Sequence, residues 1–151
     1  MKAILVTTDF SELAERAIKP AADLATRLGA TLVLGHVITS EKPPKPIPNA
    51  AHFQVAERLF QADAEMESSI RAALQERADE LAPASVVIDT ARGSAIEGIL
   101  KLAQAHEVGM IVISSLGRTG LRRLFLGSVA EELARNSPIP VLVWKDPGDA
   151  R

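Results

Sequence analysis

The chain contains no cysteine, and this absence excludes disulfide bonds, thiol nucleophiles and thiolate metal sites. Aromatic residues make up only 3% of the 151 residues, so platforms on which nucleic-acid bases stack are not expected. Positive charge is not in excess either, because the formal net charge is -2. Proteins that bind nucleic-acid phosphates are normally basic or carry a long basic face. The sequence therefore predicts a protein without a nucleic-acid partner.

Histidines and long hydrophobic runs are scarce as well. His36, His52 and His106 are far apart and lack the spacing of metal ligands. The amino-terminal stretch MKAILVTTD becomes polar after four apolar residues, which is too short for a signal peptide, and no run approaches the length of a membrane span. We expect a cytoplasmic protein with no histidine metal site and no membrane contact.

The hydrophobic fraction, by contrast, is 47%, enough for one domain over residues 1–151 with a proper core. Five short apolar runs are rich in valine and isoleucine and do not alternate with polar residues. This pattern is typical of strands buried on both faces of a parallel sheet. The runs are Ala3–Val6, Thr31–Ile38, Ser85–Ile88, Met110–Ile113 and Val141–Trp144.

Helical patterns fill the gaps between these runs. The first extends from Leu13 to Leu28 and closes at Gly29, and Pro20 is expected to kink this single helix because its nitrogen cannot donate. The order predicts a doubly wound, Rossmann-like α/β domain with helices on both faces and ligands at the carboxyl ends of the strands. Three further helical patterns cover Val55–Leu81, Ile96–Ala103 and Val129–Ala134.

A proline-rich segment, residues 39–52, follows the second apolar run and contains four of the nine prolines. Because it leaves the carboxyl end of a strand, it is predicted to lie as a loop on the ligand side of the sheet. We interpret it as a solvated connector, with a mobile flap as the alternative.

Asp9 stands where the first strand gives way to a helix, in the stretch VTTDFSE. One interpretation makes it the N-cap residue, with Glu12 completing a variant of the capping box and Ser11 as a competing cap. The other makes its carboxylate a hydrogen-bond acceptor for a ribose hydroxyl or an adenine amine. Position alone slightly favours the cap.

A second helix start lies in the stretch GSVAE. Ser128 and Glu131 have the S-x-x-E spacing of a capping box. A helix amino terminus is also a common phosphate site, and Gly127 lets an anion approach the backbone closely. Motifs of other nucleotide-binding folds and of serine hydrolases are absent. Positive charge would come from three preceding arginines, Arg118, Arg122 and Arg123.

Three stretches together resemble the universal stress protein family over nearly the whole chain. They are TTDFSELAERAI, LGHVI and SSLGRTGLRRLFLGSVAEELARNSPIPVLV. Members that bind ATP are similar in showing G-x2-G-x9-G-[ST] in the last stretch. Gly117, Gly127 and Ser128 match its later part, while Ser114 replaces the first glycine. If that glycine had a left-handed backbone, serine would cost about 1–2 kcal/mol, or roughly five- to thirty-fold in affinity. We expect weakened rather than abolished binding.

The resemblance also implies a role for each matching residue. Asp9 and the backbone of Val37 would hold the ribose and adenine of ATP, with Thr7 and Thr8 on the same wall. The phosphates, accompanied by Mg2+ or Mn2+, would lie near the residues of the glycine pattern. These are Ser114, Gly117, Gly127, Ser128 and Val129, with Arg118 as charge support.

The family's strand order, 3-2-1-4-5, leaves the fifth strand at an edge of the sheet. An edge as apolar as VLVW, Val141–Trp144, needs covering. The resemblance implies antiparallel pairing of this strand across a two-fold axis. We therefore expect a homodimer, which would act on protein partners that the sequence does not identify.

The first functional hypothesis is thus an ATP-binding regulatory or stress-response protein. Phosphoryl transfer to water needs a group that positions the water, and the glycine-rich segment offers no such base. At most we expect slow or partner-dependent hydrolysis. The second hypothesis is a dimeric interaction protein of the same fold that binds no nucleotide; Ser114 and Leu116 favour it, whereas Gly117, Gly127 and Ser128 argue against it.

A third hypothesis is a phosphoacceptor receiver domain. Asp9, Asp89, Ser114 and Lys145 lie at superficially suitable points of the predicted strands. Receiver domains, however, resemble one another in having an acidic pair after the first strand. Asp9 lies between a threonine and a phenylalanine instead, so this hypothesis is the weakest.

Overall fold

The computed structural model describes residues 1–39, 51–81, 85–115 and 126–145, with the backbone alone for 51–60. Strands and helices alternate along the chain except for two consecutive helices after the first strand. The elements are β1 (Ala3–Thr7), α1 (Glu12–Glu15), α2 (Ile18–Leu28), β2 (Thr31–Ile38), α3 (Ala51–Asp79), β3 (Val86–Arg92), α4 (Ala95–Ala105), β4 (Met110–Ser114), α5 (Ser128–Asn136) and β5 (Val141–Trp144).

The described strands form one parallel sheet in the order β3-β2-β1-β4-β5. At its centre Leu5 of β1 lies opposite Val33 of β2 and Ile111 of β4. The predicted α/β class and the strand order implied by the resemblance are both confirmed. Since β1 has β2 on one side and β4 on the other, the chain reverses its direction of progress across the sheet beside β1.

Each face of the sheet has its own buried core, because successive strand residues point to opposite faces. One core lies between the sheet and α2 and α3, and the other between the sheet and α4 and α5. The first includes Ile4, Val6, Leu32, Leu34 and Leu74. The second includes Leu5, Val33, Leu102, Ile111 and Leu133. Burial on both faces explains why the strand sequences are continuously apolar.

The prediction of one kinked helix from Leu13 to Leu28 is wrong, because the chain forms α1 and α2 with a break at Arg16 and Ala17. Pro20 is the third residue of α2. The first four N–H groups of a helix have no intrahelical partner, so proline removes no hydrogen bond there. The predicted end at Gly29 is confirmed, since this residue is left-handed at φ 61° and its N–H reaches two carbonyls of the last turn.

The apolar run that predicts the third strand ends at Ile88, with Asp89 also assigned to this strand, whereas β3 continues to Arg92. Its last four residues are mostly polar, which an edge strand tolerates because one of its sides faces solvent. The proline-rich segment also needs a correction at its end, because Ala51 and His52 already belong to α3. Its residues 40–50 lie outside the described part of the chain. Within the described ranges, no helix is long and apolar enough to cross a membrane.

Candidate functional site

A cavity of about 290 Å³ opens at the carboxyl ends of β1, β2 and β4. This is the point where the strand order reverses, and open α/β sheets bind ligands there. Six of the residues predicted from the sequence line it together, namely Thr7, Thr8, Asp9, Val37, Ser114 and Val129. The other lining residues are Ala14, His36, Thr39, Ala95, Ile99 and Ile113.

The β1 side of the cavity is formed by a loop that begins at Thr8. Thr8 is only 3% exposed, and its hydroxyl donates to Glu15 Oε1 at 3.0 Å and accepts the N–H of Phe10 at 2.9 Å. Asp9 Oδ1 accepts the N–H of Ser11 at 2.9 Å, an Asx-turn that fixes the carboxylate beside the cavity. The sequence-based interpretation of Asp9 as the N-cap is wrong. Ser11, the competing candidate, caps α1 by accepting the N–H of Ala14 at 3.2 Å.

The β2 side presents His36 and Val37. His36 Nδ1 lies 2.8 Å from the carbonyl oxygen of Thr8, and because a carbonyl only accepts, this ring nitrogen donates. Val37 is held from behind by α4, where a Cβ atom added to Gly98 would overlap the valine side chain. Only glycine therefore allows α4 to approach β2 this closely and to define the wall of the cavity.

The third side joins the end of β4 to the start of α5. The N–H of Gly127 donates to the carbonyl of Ser115 at 2.7 Å, which brings α5 back beside the carboxyl end of β4. Gly127 itself is the N-cap residue of α5, and no side chain of the described residues caps this end. The predicted capping box is wrong, because Ser128 is the first helical residue and Glu131 instead accepts from Arg135 at 2.9 Å.

The backbone of Ser114 bears on the energetic cost that was expected where serine replaces the first glycine of the pattern. The residue ends β4 and is not among the non-glycine residues with positive φ, which in the described chain are Phe10 and Glu107. The predicted cost of a left-handed serine therefore does not arise. The serine side chain still matters to the site, because it lines the cavity. Gly117 and Arg118, together with Leu116, Arg122 and Arg123, lie outside the described residues.

Sequence reasoning missed the contribution of α4 to the site. Ala95 and Ile99 line the cavity from the first turns of this helix. Ser94 and Glu97 form a complete capping box at its start. The S-x-x-E spacing in GSAIE was the signal that would have placed the helix start, and with it Ala95, at the carboxyl end of β3. His36 was also missed, although it directly precedes Val37.

Of the two acidic residues named for a receiver domain, Asp9 lines the cavity and Asp89 does not. Asp89 accepts from His106 Nε2 at 2.8 Å and from Arg71 Nη2 at 3.3 Å. Burial raises the pKa of Asp89, but the hydrogen bonds from His106, the Thr90 N–H and Arg71 outweigh burial and hold the pKa below the ordinary 3.8. Asp89 is thus an ion-paired carboxylate of β3, and the geometry gives the receiver hypothesis no support.

Comparison with known proteins gives consistent matches over almost the whole chain. The model of the universal stress protein family matches residues 1–145. Universal stress protein MJ0577 of Methanocaldococcus jannaschii is 32% identical over 154 aligned residues, which cover 95% of this chain and 94% of that protein. Stress response protein NhaX of Bacillus subtilis is 29% identical over 163 aligned residues, covering 94% of this chain and 96% of that protein.

Solved structures agree with these sequence matches. The structure of MJ0577 superposes with a TM-score of 0.75 at 29% identity and covers 96% of both chains. A universal stress protein in complex with cAMP superposes with a TM-score of 0.64 over 95% of this chain and 96% of the other. Its identity of 20% makes it a likeness of fold alone.

Proposed function

Since this chain belongs to the universal stress protein family, we propose that it binds ATP in the strand-end cavity and acts as a nucleotide-responsive regulatory protein. The observation that carries the proposal is the shared location of Asp9, Val37, Ser114 and Val129. They come from three strand ends and one helix start, and they line a single cavity at the reversal of strand order. These positions are far apart in the sequence, and the fold brings them to one cavity.

The adenosine half of the ligand fits the cavity itself. The volume of about 290 Å³ is near the lower end of ordinary small-ligand pockets, which begin at roughly 300 Å³. Val37 and Ile99 offer apolar surface for the base, and the Asp9 carboxylate is an acceptor suited to ribose hydroxyls. In this arrangement the triphosphate extends out of the cavity towards the start of α5.

The phosphate half would meet the first turn of α5. Its N–H groups and positive dipole favour an anion, and no side chain of the described residues occupies them as a cap. The adjacent Ser128 hydroxyl is a further donor, and Mg2+ or Mn2+ would accompany the phosphates. Gly117 and Arg118 belong to this half of the proposal through the family's glycine pattern.

Binding without efficient hydrolysis is the form of ATP use that we propose. Among the described residues that line the cavity, Asp9 is the only carboxylate, and it lies at the ribose end of the proposed ligand. Glu15, the next carboxylate behind the wall, accepts from both Thr8 and Arg77. We infer that neither of these two described carboxylates activates a water at the terminal phosphate, so turnover would be slow or would need a partner.

We propose in addition that the protein is a homodimer paired through β5. The strand is hydrogen-bonded to β4 on one side, and its four side chains are half-buried and apolar. An antiparallel β5 from a second copy would complete its other side. The resulting dimer would offer its nucleotide-dependent surface to protein partners, which remain unidentified.

Calorimetric titration tests the nucleotide proposal directly. Protein that has been unfolded, freed of ligand and refolded should bind Mg-ATP at one per chain, and Mg-GTP should not compete. Asp9→Asn should weaken the affinity for ATP by about ten- to a hundred-fold, because a hydrogen bond to a charged group contributes about 1.5–3 kcal/mol. Asp89→Asn is the matched control, since it changes an equivalent carboxylate outside the cavity and should leave ATP affinity unaltered.

The opposite results have a defined meaning. Wild-type protein that binds no ATP at millimolar concentration would favour the second candidate, a dimeric interaction protein of the same fold. The Ser114 side chain, which lines the cavity, would then be the obstacle to the nucleotide. If ATP binds but Asp9→Asn and Asp89→Asn behave alike, ATP binds elsewhere on the molecule.

A further inference from the structure

The loop that carries Asp9 contains a strained residue. Phe10, which follows Asp9, has φ 61°. Positive φ is uncommon for residues other than glycine, and for a bulky side chain it persists only where the surroundings impose it. The contacts of Phe10 should therefore reveal what fixes this loop beside the cavity.

Two side chains hold the Phe10 ring. The ring of His36 lies 4.8 Å away, centroid to centroid, and the Arg77 guanidinium lies 5.1 Å from the Phe10 centroid in a cation–π contact. The backbone is held as well, because the Phe10 N–H donates to the Thr8 hydroxyl. His36 belongs to β2, whereas Arg77 comes from the last turn of α3, and none of the α3 side chains that the structure describes, those of residues 61–79, lines the cavity.

Arg77 also reaches the loop by a second route. Its Nε lies 2.7 Å from both carboxylate oxygens of Glu15, and Glu15 Oε1 accepts the Thr8 hydroxyl at 3.0 Å. Its Nη1 donates to the Ala73 carbonyl at 2.9 Å, so the guanidinium is anchored to its own helix. The side chains of Arg77 and Glu15 are 28% and 29% exposed, so solvent screens their ion pair less than a surface pair.

We propose that Arg77 is a positioning residue for the nucleotide, acting through Glu15, Thr8 and Phe10 on the loop that presents Asp9. The inference rests on the proposed function, since it concerns the ligand of the same cavity. It makes α3 part of the binding apparatus without contact to the ligand. Because coupling between sites is reciprocal, bound ATP would in turn hold the end of α3 in place.

The test compares two arginines of the same helix. Arg77→Gln should weaken ATP binding by about five- to thirty-fold, within the range for residues that act through a network. Arg71→Gln is the matched control, because Arg71 also pairs with a carboxylate off the helix, Asp89 at 3.3 Å, but outside the cavity. It should change ATP affinity less than two-fold. Calorimetry is carried out at a temperature where circular dichroism shows every variant to be folded.

A double-mutant cycle separates positioning from a general structural role. If Arg77 acts by presenting Asp9, then Asp9→Asn combined with Arg77→Gln should bind ATP no more weakly than Asp9→Asn alone. Additive losses, or an Arg77→Gln variant that binds as wild type does, would overturn the inference. Glu15→Ala removes the acceptor shared by Thr8 and Arg77 and leaves both residues of the Arg77–Phe10 contact unchanged, so it gives the same test if Arg77→Gln does not fold. Wild-type protein that fails to bind ATP would remove the proposed function itself, a result distinct from these.

Discussion

The two edges of the sheet differ in what they present to another strand. At β3 the N–H of Thr90 faces outward from the sheet, because Ser85 and Gly93 bond to β2 and the intervening residues alternate. That N–H donates to Asp89 Oδ1 at 2.8 Å, and the Thr90 hydroxyl donates to Glu67 of α3 at 3.2 Å. The Asp89 carboxylate of β3 itself and the charged Glu67 side chain of α3 thus occupy the edge of β3.

At β5 the outward positions are Val141 and Val143, because the carbonyls of Pro140 and Trp144 accept from β4. Within the described part of the chain, no hydrogen bond reaches their outward N–H groups. The strand also lines a groove of about 340 Å³ with α2, where Leu142 and Trp144 are half-buried. A charged edge resists strand addition and an apolar, unoccupied one accepts it. The contrast supports pairing of copies through β5 and not through β3.

The largest effect is expected from Val143→Pro, which removes an outward N–H without removing a β4–β5 hydrogen bond. Proline is tolerated on edge strands for this reason. Two outward hydrogen bonds are lost across the two-fold axis, at about 0.5–1.5 kcal/mol each, so self-association should weaken about five- to a hundred-fold. Sedimentation equilibrium measures it, with Val143→Ala as the variant that keeps the N–H. A proline variant that remains as dimeric as wild type would exclude β5 as the pairing edge.

A smaller effect, on stability, is expected at the other edge from Asp89→Ala. The change leaves Arg71, His106 and the Thr90 N–H without their common acceptor. The free energy of unfolding should fall by about 1–3 kcal/mol, the cost of partly buried polar groups left unsatisfied. Urea unfolding measures it, and Glu131→Ala, which breaks the exposed Glu131–Arg135 pair of α5, should cost much less. Equal losses in the two variants would mean that the β3 network contributes no more than a surface ion pair.

The smallest effect is a difference in pH dependence. Because the pKa of Asp89 in the folded protein lies below the ordinary 3.8, its stabilising contribution is complete above that value and is lost as pH falls through the folded pKa. Asp89→Asn should therefore flatten the decline of unfolding free energy between about pH 5 and about pH 3. The pKa of Glu67 is also lowered, first by its hydrogen bond from Arg92 and then by that from Thr90. Because Glu67 is present in both the wild-type protein and the Asp89→Asn variant, its titration does not account for a difference between them. Curves of unfolding free energy against pH that run parallel in the two proteins would contradict the prediction.

The same edges show which parts of the fold could be predicted from the sequence. Apolar runs located all five strands, since strands covered on both faces have no polar positions. The prediction was incomplete at the end of β3: Asp89 was placed in the strand, but the continuation of the strand to Arg92 was not predicted, because Arg92 looks like a loop residue. Both are strand residues because α3 and α4 supply their partners, and no local pattern contains those contacts.

Helix starts show the same limit within the candidate site. Ser94–Glu97 and Ser128–Glu131 have identical spacing, yet only the first forms a capping box. The second helix begins one residue earlier than the pattern indicates, with Gly127 as the N-cap residue, and the N–H of Gly127 is tied to the carbonyl of Ser115 at the end of β4. Sequence reasoning placed Asp9, Val37 and the start of α5 at one site. It did not anticipate that Ser11 rather than Asp9 is the N-cap residue of α1, or that Gly127 rather than Ser128 is the N-cap residue of α5.

The groove beside β5 has a practical consequence for observing the molecule. Trp144 is the only tryptophan of the chain, and no tyrosine is present. All tryptophan fluorescence of the chain therefore comes from the edge strand where copies are proposed to meet. The backbone carbonyl of the same residue accepts from Ser115, next to the start of α5. Trp144 would thus report the proposed assembly optically, on dilution and without any added label.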